Sequence, residues 1–422
     1  DSPLFDKLSA MLPVTNLDLV NAIVRLLFNL SFDGEARNRI VKAGLLPKIV
    51  ELIDEPSLET VVIRLLYHLS IDDKCKSMFT YTDCIPKLMK RVLESKEERV
   101  PVELMSLCIN LAANKRNAQL ICEGGGLKLL FKRAFKNEDP FMMKMLRNIA
   151  QQEGQTKGMM VDFADELAAT IVSSADEDYV IECVGVLGNV MLKEIDFSRL
   201  FSEHGLLEWC RRRIKPGAYD DDMVLEVVIL LGTAALDGAC AELICRSDTI
   251  DTVIELLNAK QEDDETVLQI LYLFHQLVRH SALRDEVILN TQIAAYLIDL
   301  MHDKNSEIRQ ICDRTLDLVA SYDPNWATKI QAEKFRWHNH QWLDMMENQE
   351  TPGSEEHWGS DIFNEGFFPC TQLMDREQLY ENESDVSDCD NLDIMAGPLP
   401  VRPPSALFKP PSKITAREMT LD

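Results

Sequence analysis

The hexamer Leu26–Ser31 (LLFNLS) constrains this chain more than any other feature, because related hexamers return at a nearly constant interval. They stand at Leu65–Ser70 (LLYHLS), Leu107–Ala112 (LCINLA), Met145–Ala150 (MLRNIA) and Val186–Met191 (VLGNVM). Fainter copies follow at Leu230–Ala235 (LLGTAA), Leu273–Val278 (LFHQLV) and Thr315–Ala320 (TLDLVA). The fourth positions are Asn29, His68, Asn110, Asn148, Asn189, Thr233, Gln276 and Leu318, separated by 39, 42, 38, 41, 44, 43 and 42 residues. A period near 40 with drifting identity marks a solenoid, in which no unit buries its apolar face without its neighbours.

The unit after the first hexamer shows how a repeat is built. Glu35–Gly44, Leu45–Ile53 and Ser57–Ser70 read as three helices. Gly44 ends the first, since glycine takes left-handed backbone angles without penalty. Pro47 falls in the first turn of the second, where its missing N–H costs nothing. Asp54–Ser57 turns the chain into a third, longer helix that carries the hexamer. Pro86 stands 18 residues after His68, as Pro47 does after Asn29. Gly124–Gly126 and Gly205 repeat the glycine break, whereas the unit Gly154–Leu192 lacks this punctuation. Residues 1–322 are therefore expected to form the repeats, the first of them partial. The chain opens at Asp1 rather than Met and is read as lacking an N-terminal part. Residues 323–346, from Asp323-Pro324 onward with Trp326, Trp337 and Trp342, are expected to form a capping helix.

From residue 347 the periodicity stops. Residues 347–395 hold 14 acidic residues against Arg376 alone, and 396–422 hold six prolines. Such a segment cannot bury enough surface to offset its ordering entropy, so a flexible tail, acidic and then Pro-rich, is expected. Phe363, Phe367, Phe368 and Tyr380 are its candidates for docking. Ser384, flanked by Glu383 and Asp385, and Ser387, followed by Asp388 and Asp390, are candidate phosphorylation sites. A phosphate there adds charge that favours a basic partner.

The formal net charge of −26 argues against nucleic acid as a partner, since a phosphate backbone needs clustered Lys and Arg. Eleven cysteines without a CxxC pair suit reduced, core-packing thiols of an intracellular protein. No apolar run approaches the roughly 18–20 residues of a membrane span. The longest, Val227–Leu236, holds Gly232 and Thr233. No phosphate loop or nucleophile elbow is present, and the Gly124–Gly126 run reads as a turn. Gly185 and Gly188 share a helix face and read as close packing. His338 and His340 lack further ligands at metal spacing. Neither an enzyme, a cofactor nor a metal site is expected.

The ladder positions have two readings. Helices pack roughly 8–10 Å apart and an extended peptide advances about 3.3 Å per residue, so one rung meets about every third residue of a bound chain. An asparagine both donates and accepts, which suits a peptide backbone. Asn29, Asn110, Asn148 and Asn189, with His68, Thr233 and Gln276, would then line a groove. Alternatively, these side chains hydrogen-bond within the repeat. Four residues earlier stand Arg25, Arg64, Ser106, Lys144, Gly185, Ile229, Tyr272 and Arg314. The basic members, Arg25, Arg64 and Lys144 among them, either select an acidic ligand or are solvated charges. Acidic loops at Ala175–Asp178, Asp220–Asp222 and Glu262–Glu265 either attract basic segments or are solvated too.

A Gly-x-x-Pro-x-Leu-x-x-Leu second helix at Gly44–Leu52 and a third helix ending Leu-x-Asn-Leu resemble the armadillo repeat. That resemblance implies an all-α, right-handed solenoid with three helices per repeat. Leu26–Ile53, Asn148–Lys157 (NIAQQEGQTK), Trp326–Met346 and Ser384–Pro398 resemble the kinesin-associated protein family. The family implies a cytoplasmic, non-enzymatic adaptor that binds the C-terminal tails of two kinesin motor chains and links them to cargo. Its settings are the microtubule cytoskeleton, intraflagellar transport in cilia and axonal transport. The tryptophans that armadillo proteins often carry at the position four before the ladder are absent here, which counts against importin-like capture of basic peptides. The alternatives are a signalling or junctional scaffold that binds acidic tails, and a structural regulator of an enzyme.

Overall fold

The computed structural model describes residues 4–12, 15–191 and 193–347. Among these, every regular element is helical. The eight ladder positions each fall on a long helix: α1 (Leu17–Leu30), α2 (Glu59–Ile71), α3 (Val102–Ala112), α4 (Pro140–Ala150), α5 (Glu177–Asn189), α6 (Asp221–Ala234), α7 (Asp264–Arg279) and α8 (Ser306–Tyr322). Each packs on the next in chain order. Two shorter helices complete the outer layer of a repeat, for example Gly34–Lys42 and Leu45–Glu51 before α2. The molecule is an α-solenoid whose core runs along its length: Leu27, Leu45, Ile49, Leu65, Leu66 and Leu69 are all fully buried. Each such side chain contributes about 1.5–3 kcal/mol by leaving water. The described residues up to 327 form one compact unit, and residues 328–347 belong to a second.

The breaks follow the sequence. Gly44 has φ +70° between the first two helices of its repeat, Gly205 repeats that angle, and Gly124 and Gly125 also have positive φ. Helix α2 begins two residues after the expected Ser57, because the Ser57 hydroxyl turns back to Glu55 Oε1 at 3.0 Å instead of capping it. The helix Pro324–Glu347 starts as its cap predicts, with Asp323 Oδ1 accepting from the Trp326 amide at 2.8 Å. Residues 348–422 lie outside the described residues, and with them the expected flexible tail, Phe363, Phe367, Phe368, Tyr380, Ser384 and Ser387. The side chains of His338, His340 and Trp342 are outside as well.

A second periodicity was not anticipated. Four residues after Asn29, His68, Asn110 and Thr233 stand Asp33, Asp72, Asn114 and Asp237. Each caps the first helix of the next repeat by accepting backbone N–H groups, at 2.8 Å for Asp33 with Ala36 and 3.0 Å for Asp72 with Lys74. Four residues after Asn148 stands Gln152, whose amide goes instead to the Asn148 and Ala113 carbonyls. Without a cap, the first helix of that unit shrinks to the single turn Gln155–Gly158. The hexamer of the same unit also departs from expectation. Helix α5 stops at Asn189, and Val190 leaves helical angles. Gly185 and Gly188 weaken this last turn, and the Asn189 side chain folds back onto the Gly185 carbonyl at 2.7 Å.

The acidic loops also acquire a local role. Asp176, Asp263 and Asn305 cap α5, α7 and α8. Asp221 and Asp222, Asp264 and Glu265 sit in first turns, where negative charge opposes the helix dipole.

Candidate protein-binding groove

The ladder side chains divide into an open and a closed group. On α1, Arg25 and Asn29 are exposed, and Arg25 Nε donates to Asn21 Oδ1 at 3.0 Å. On α2, Arg64 and His68 are half-buried. From α3 onward the ladder is buried: Asn110 and Asn148 at 0 %, Asn189 at 5 %, Thr233 and Gln276 at 3 % exposure. Leu318, on α8, is half-buried.

The buried members make their hydrogen bonds inside the solenoid. Asn110 Nδ2 donates to Ser70 Oγ at 3.2 Å and Asn148 Nδ2 to the Ile109 carbonyl at 2.9 Å. Thr233 Oγ1 donates to the Gly188 carbonyl at 2.6 Å. Three rungs thus tie a ladder helix to the one before it, two of them at carbonyls of its last turn, which leaves acceptors open. Asn189 bonds within its own helix, and Gln276 Oε1 accepts from Arg279 Nη1 at 3.1 Å. The Oδ1 atoms of Asn110 and Asn148 are buried without a partner among the described residues. These side chains thus have partners inside the solenoid.

His68 belongs to both groups. The Ser31 hydroxyl donates its one proton to the Phe28 carbonyl at 2.6 Å, so the 2.8 Å contact with His68 Nδ1 requires Nδ1 to be the donor. Nε2 is then the bare acceptor of a neutral ring. Burial first, then the nearby Arg37 charge, lowers the His68 pKa to about 4. The ring stacks on Phe28 at 4.9 Å and meets the edge of Phe32 at 4.4 Å. Phe32 itself is 66 % exposed, an apolar surface beside a hydrogen-bond acceptor.

In the basic row four residues before the ladder, Arg64 and Lys144 are paired. Arg64 Nη2 lies 3.1 Å from Glu103 Oε1 on α3, and Lys144 Nζ lies 3.1 Å from Glu182 Oε1 on α5. The expectation that these two cations await an acidic ligand is thus narrowed, because each already holds a carboxylate of the following repeat. Arg25 has no such acid among its described contacts.

Sequence reasoning missed a buried charge cluster. Arg147, one residue before Asn148, is 6 % exposed; Nη1 reaches Glu182 Oε2 at 3.3 Å and Nη2 bonds Glu226 Oε1. Burial opposes its charge, but Glu226 and then Glu182 outweigh that and hold the guanidinium above its ordinary pKa. Gly185 leaves the space it crosses: a Cβ there would lie 2.5 Å from Arg147 Nε. The close packing expected of Gly185 and Gly188 is present, Gly188 facing Ile229 and Leu230 on α6. A charged arginine beside the ladder asparagine of MLRNIA, with glutamates seven residues before Asn189 and Thr233, is the signal that was available.

The nine described cysteines are all buried, and burial raises their thiol pKa values, to about 11 for Cys75 and about 12 for Cys108, Cys122, Cys245 and Cys312. Among the described residues, no three His, Cys, Asp or Glu side chains are placed to hold a metal ion, and no helix is long and apolar enough to cross a membrane.

Comparison with known proteins agrees with this architecture. The family model for kinesin-associated protein matches residues 1–379. An engineered protein of known crystal structure superposes with a TM-score of 0.62 at 18 % identity, covering 78 % of this chain and 82 % of its own. A structure described under a conserved phosphorylation switch controlling the interaction between cadherin and beta-catenin gives 0.55 at 16 %, covering 76 % and 68 %. A designed armadillo repeat protein gives 0.46 at 15 %, covering 56 % and 99 %. The fold is that of the armadillo-repeat proteins.

Proposed function

The chain belongs to the kinesin-associated protein family, and we propose that it serves as the non-motor adaptor of a heterotrimeric kinesin. In this role it holds the C-terminal tails of the two motor chains and links them to cargo. The settings proposed are the cytoplasmic microtubule cytoskeleton, including intraflagellar transport in cilia and transport in axons. The observation that carries the reading is the extent of the family match, which takes in every ladder helix from α1 to α8. An armadillo scaffold acts by presenting surfaces to other proteins, so its chemistry is recognition.

The open end of the ladder is the favoured contact for a motor tail. Arg25, Asn29 and His68 offer an exposed cation, an amide and a bare imidazole acceptor, Arg64 adds a guanidinium already shared with Glu103, and Phe32 adds an exposed aromatic face. Such a surface suits an acidic peptide with an apolar anchor. Lys144, Asn189 and Gln276 complete the proposed row of groove positions, and Asn110, Asn148 and Thr233 tie its helices together. Ser384 and Ser387 are proposed as phosphorylation sites that add charge for a basic partner.

The test is co-elution of this chain with the purified C-terminal halves of two heterodimerising kinesin motor chains, added singly and together. A stoichiometric ternary complex that needs both motor chains is the expected result. Absence of a complex with the pair, alongside tight binding of a single acidic peptide, would replace this reading with that of a scaffold lacking a motor.

A further inference from the structure

We infer that Arg147, Glu182 and Glu226 form a clamp that couples three successive repeats into one cooperative block. In a solenoid each repeat contacts only its neighbours, so stability is a sum of repeat and nearest-interface contributions. The cross-repeat hydrogen bonds of the ladder obey that rule: His68 with Ser31 spans 37 residues, Asn148 with Ile109 spans 39 and Thr233 with Gly188 spans 45. The bond from Arg147 to Glu226 spans 79. It leaves α4, passes α5 and ends on α6, two repeats away.

Three features make that reach possible and specific. Gly185 is the residue of α5 over which the guanidinium passes, and a methyl group at that position would occupy the path of Nε. Glu182 lies one helical turn before Gly185 and accepts from the other arm of the guanidinium at 3.3 Å, so the middle helix is held as well as bridged. Lys144, one turn before Arg147 on α4, engages the second oxygen of Glu182 at 3.1 Å. Two cations and two carboxylates therefore sit together on three helices, with Arg147 and both glutamates nine-tenths or more buried. The ion pair of Arg99 with Asp176 at 3.7 Å also skips a repeat, but Arg99 is 60 % exposed and the contact is correspondingly weak.

The consequence is mechanical. Neighbouring repeats joined only through packing can rotate a little at each interface. A buried charged side chain anchored on the first and third helices of a run fixes both interfaces together, because moving either one strips Arg147 of a partner inside the core. Helices α4, α5 and α6 should open as one unit, and the array should flex to either side of them.

Gly185→Ala in the full chain separates this device from ordinary packing. Alanine favours a helix over glycine, so without a clamp the change leaves α6 as protected as before or more so. The clamp predicts amide hydrogen exchange at least tenfold faster in α4 and α6 together. Faster exchange confined to α4 and α5, or unchanged exchange in α6, overturns it. Arg147→Lys, which keeps the charge but cannot span both carboxylates, should loosen α6 while α4 stays held to Glu182. If α4 and α6 exchange alike in that variant and in the native chain, the two-repeat reach has no role. A cycle of Arg147→Met, Glu226→Gln and both together adds a third readout, since additive shifts of the urea midpoint also exclude coupling.

Discussion

Asn148 donates across a repeat boundary to the Ile109 carbonyl at 2.9 Å in a fully buried setting. Alanine there leaves that carbonyl without its donor, so Asn148→Ala should cost about 1–3 kcal/mol, read as a lower thermal midpoint. The same change at the exposed Asn29 should stay within about 0.5 kcal/mol, though the sequence pattern makes the two positions equivalent. Histidine gives the pH counterpart. Burial is the leading cause that lowers both His68 and His275 to about 4, each ring donating to a hydroxyl of an adjacent repeat. A folded-state pKa below the unfolded value of about 6.5 means that the unfolded chain takes up more protons between those limits. Stability should be steady above pH 6.5 and fall as the pH drops towards 4. Urea titrations at stepped pH would show the slope, and replacing both histidines with glutamine should flatten it.

At the level of the helix, the caps carry more than their share. Asp237 Oδ1 accepts from Ala239 N at 3.0 Å to start its own helix, and Oδ2 accepts from Ser198 N at 3.2 Å on the preceding repeat. Asp237→Ala removes both, and should cost about 1–2 kcal/mol, at the upper end for a capping residue. Asp237→Asn keeps an acceptor and should recover most of it in the same denaturation assay. The cap row four residues after the ladder was readable from spacing alone; it lapses where Gln152, Lys193 and His280 stand, and the repeat with Gln152 has a single-turn first helix. By contrast, the end of α5 at Asn189 could not be read from the hexamer, because a side-chain bond to Gly185 decides it.

At the scale of the whole molecule, the open end of the ladder is where binding is proposed, and charge reversal tests it. Arg25→Glu with Arg64→Glu should weaken a motor-tail complex at least tenfold while the circular dichroism of the helices is kept. Raising salt should weaken the native complex in the same direction, since exposed charges are screened over about 8–10 Å. Arg64→Glu also sets two carboxylates face to face with Glu103, so Arg25→Glu alone should show a smaller loss without that added repulsion.

The repeat length, the third helix of each unit and the glycine and proline breaks were all legible in the sequence, because each depends on residues near in the chain: apolar spacing, a left-handed glycine, a proline in a first turn. Which ladder residues face a ligand was not legible. Asn29 and Asn148 occupy the same place in the pattern, yet one is exposed and the other is buried and bonded to the neighbouring repeat. The pairing of Arg64 with Glu103, the tautomer of His68 and the reach of Arg147 past Gly185 to Glu226 likewise depend on how far one helix stands from the next. Local spacing specifies a helix and its apolar stripe; the partner of a buried polar group is set by stacking, which brings together residues about 40 or 80 positions apart only once the repeats have packed.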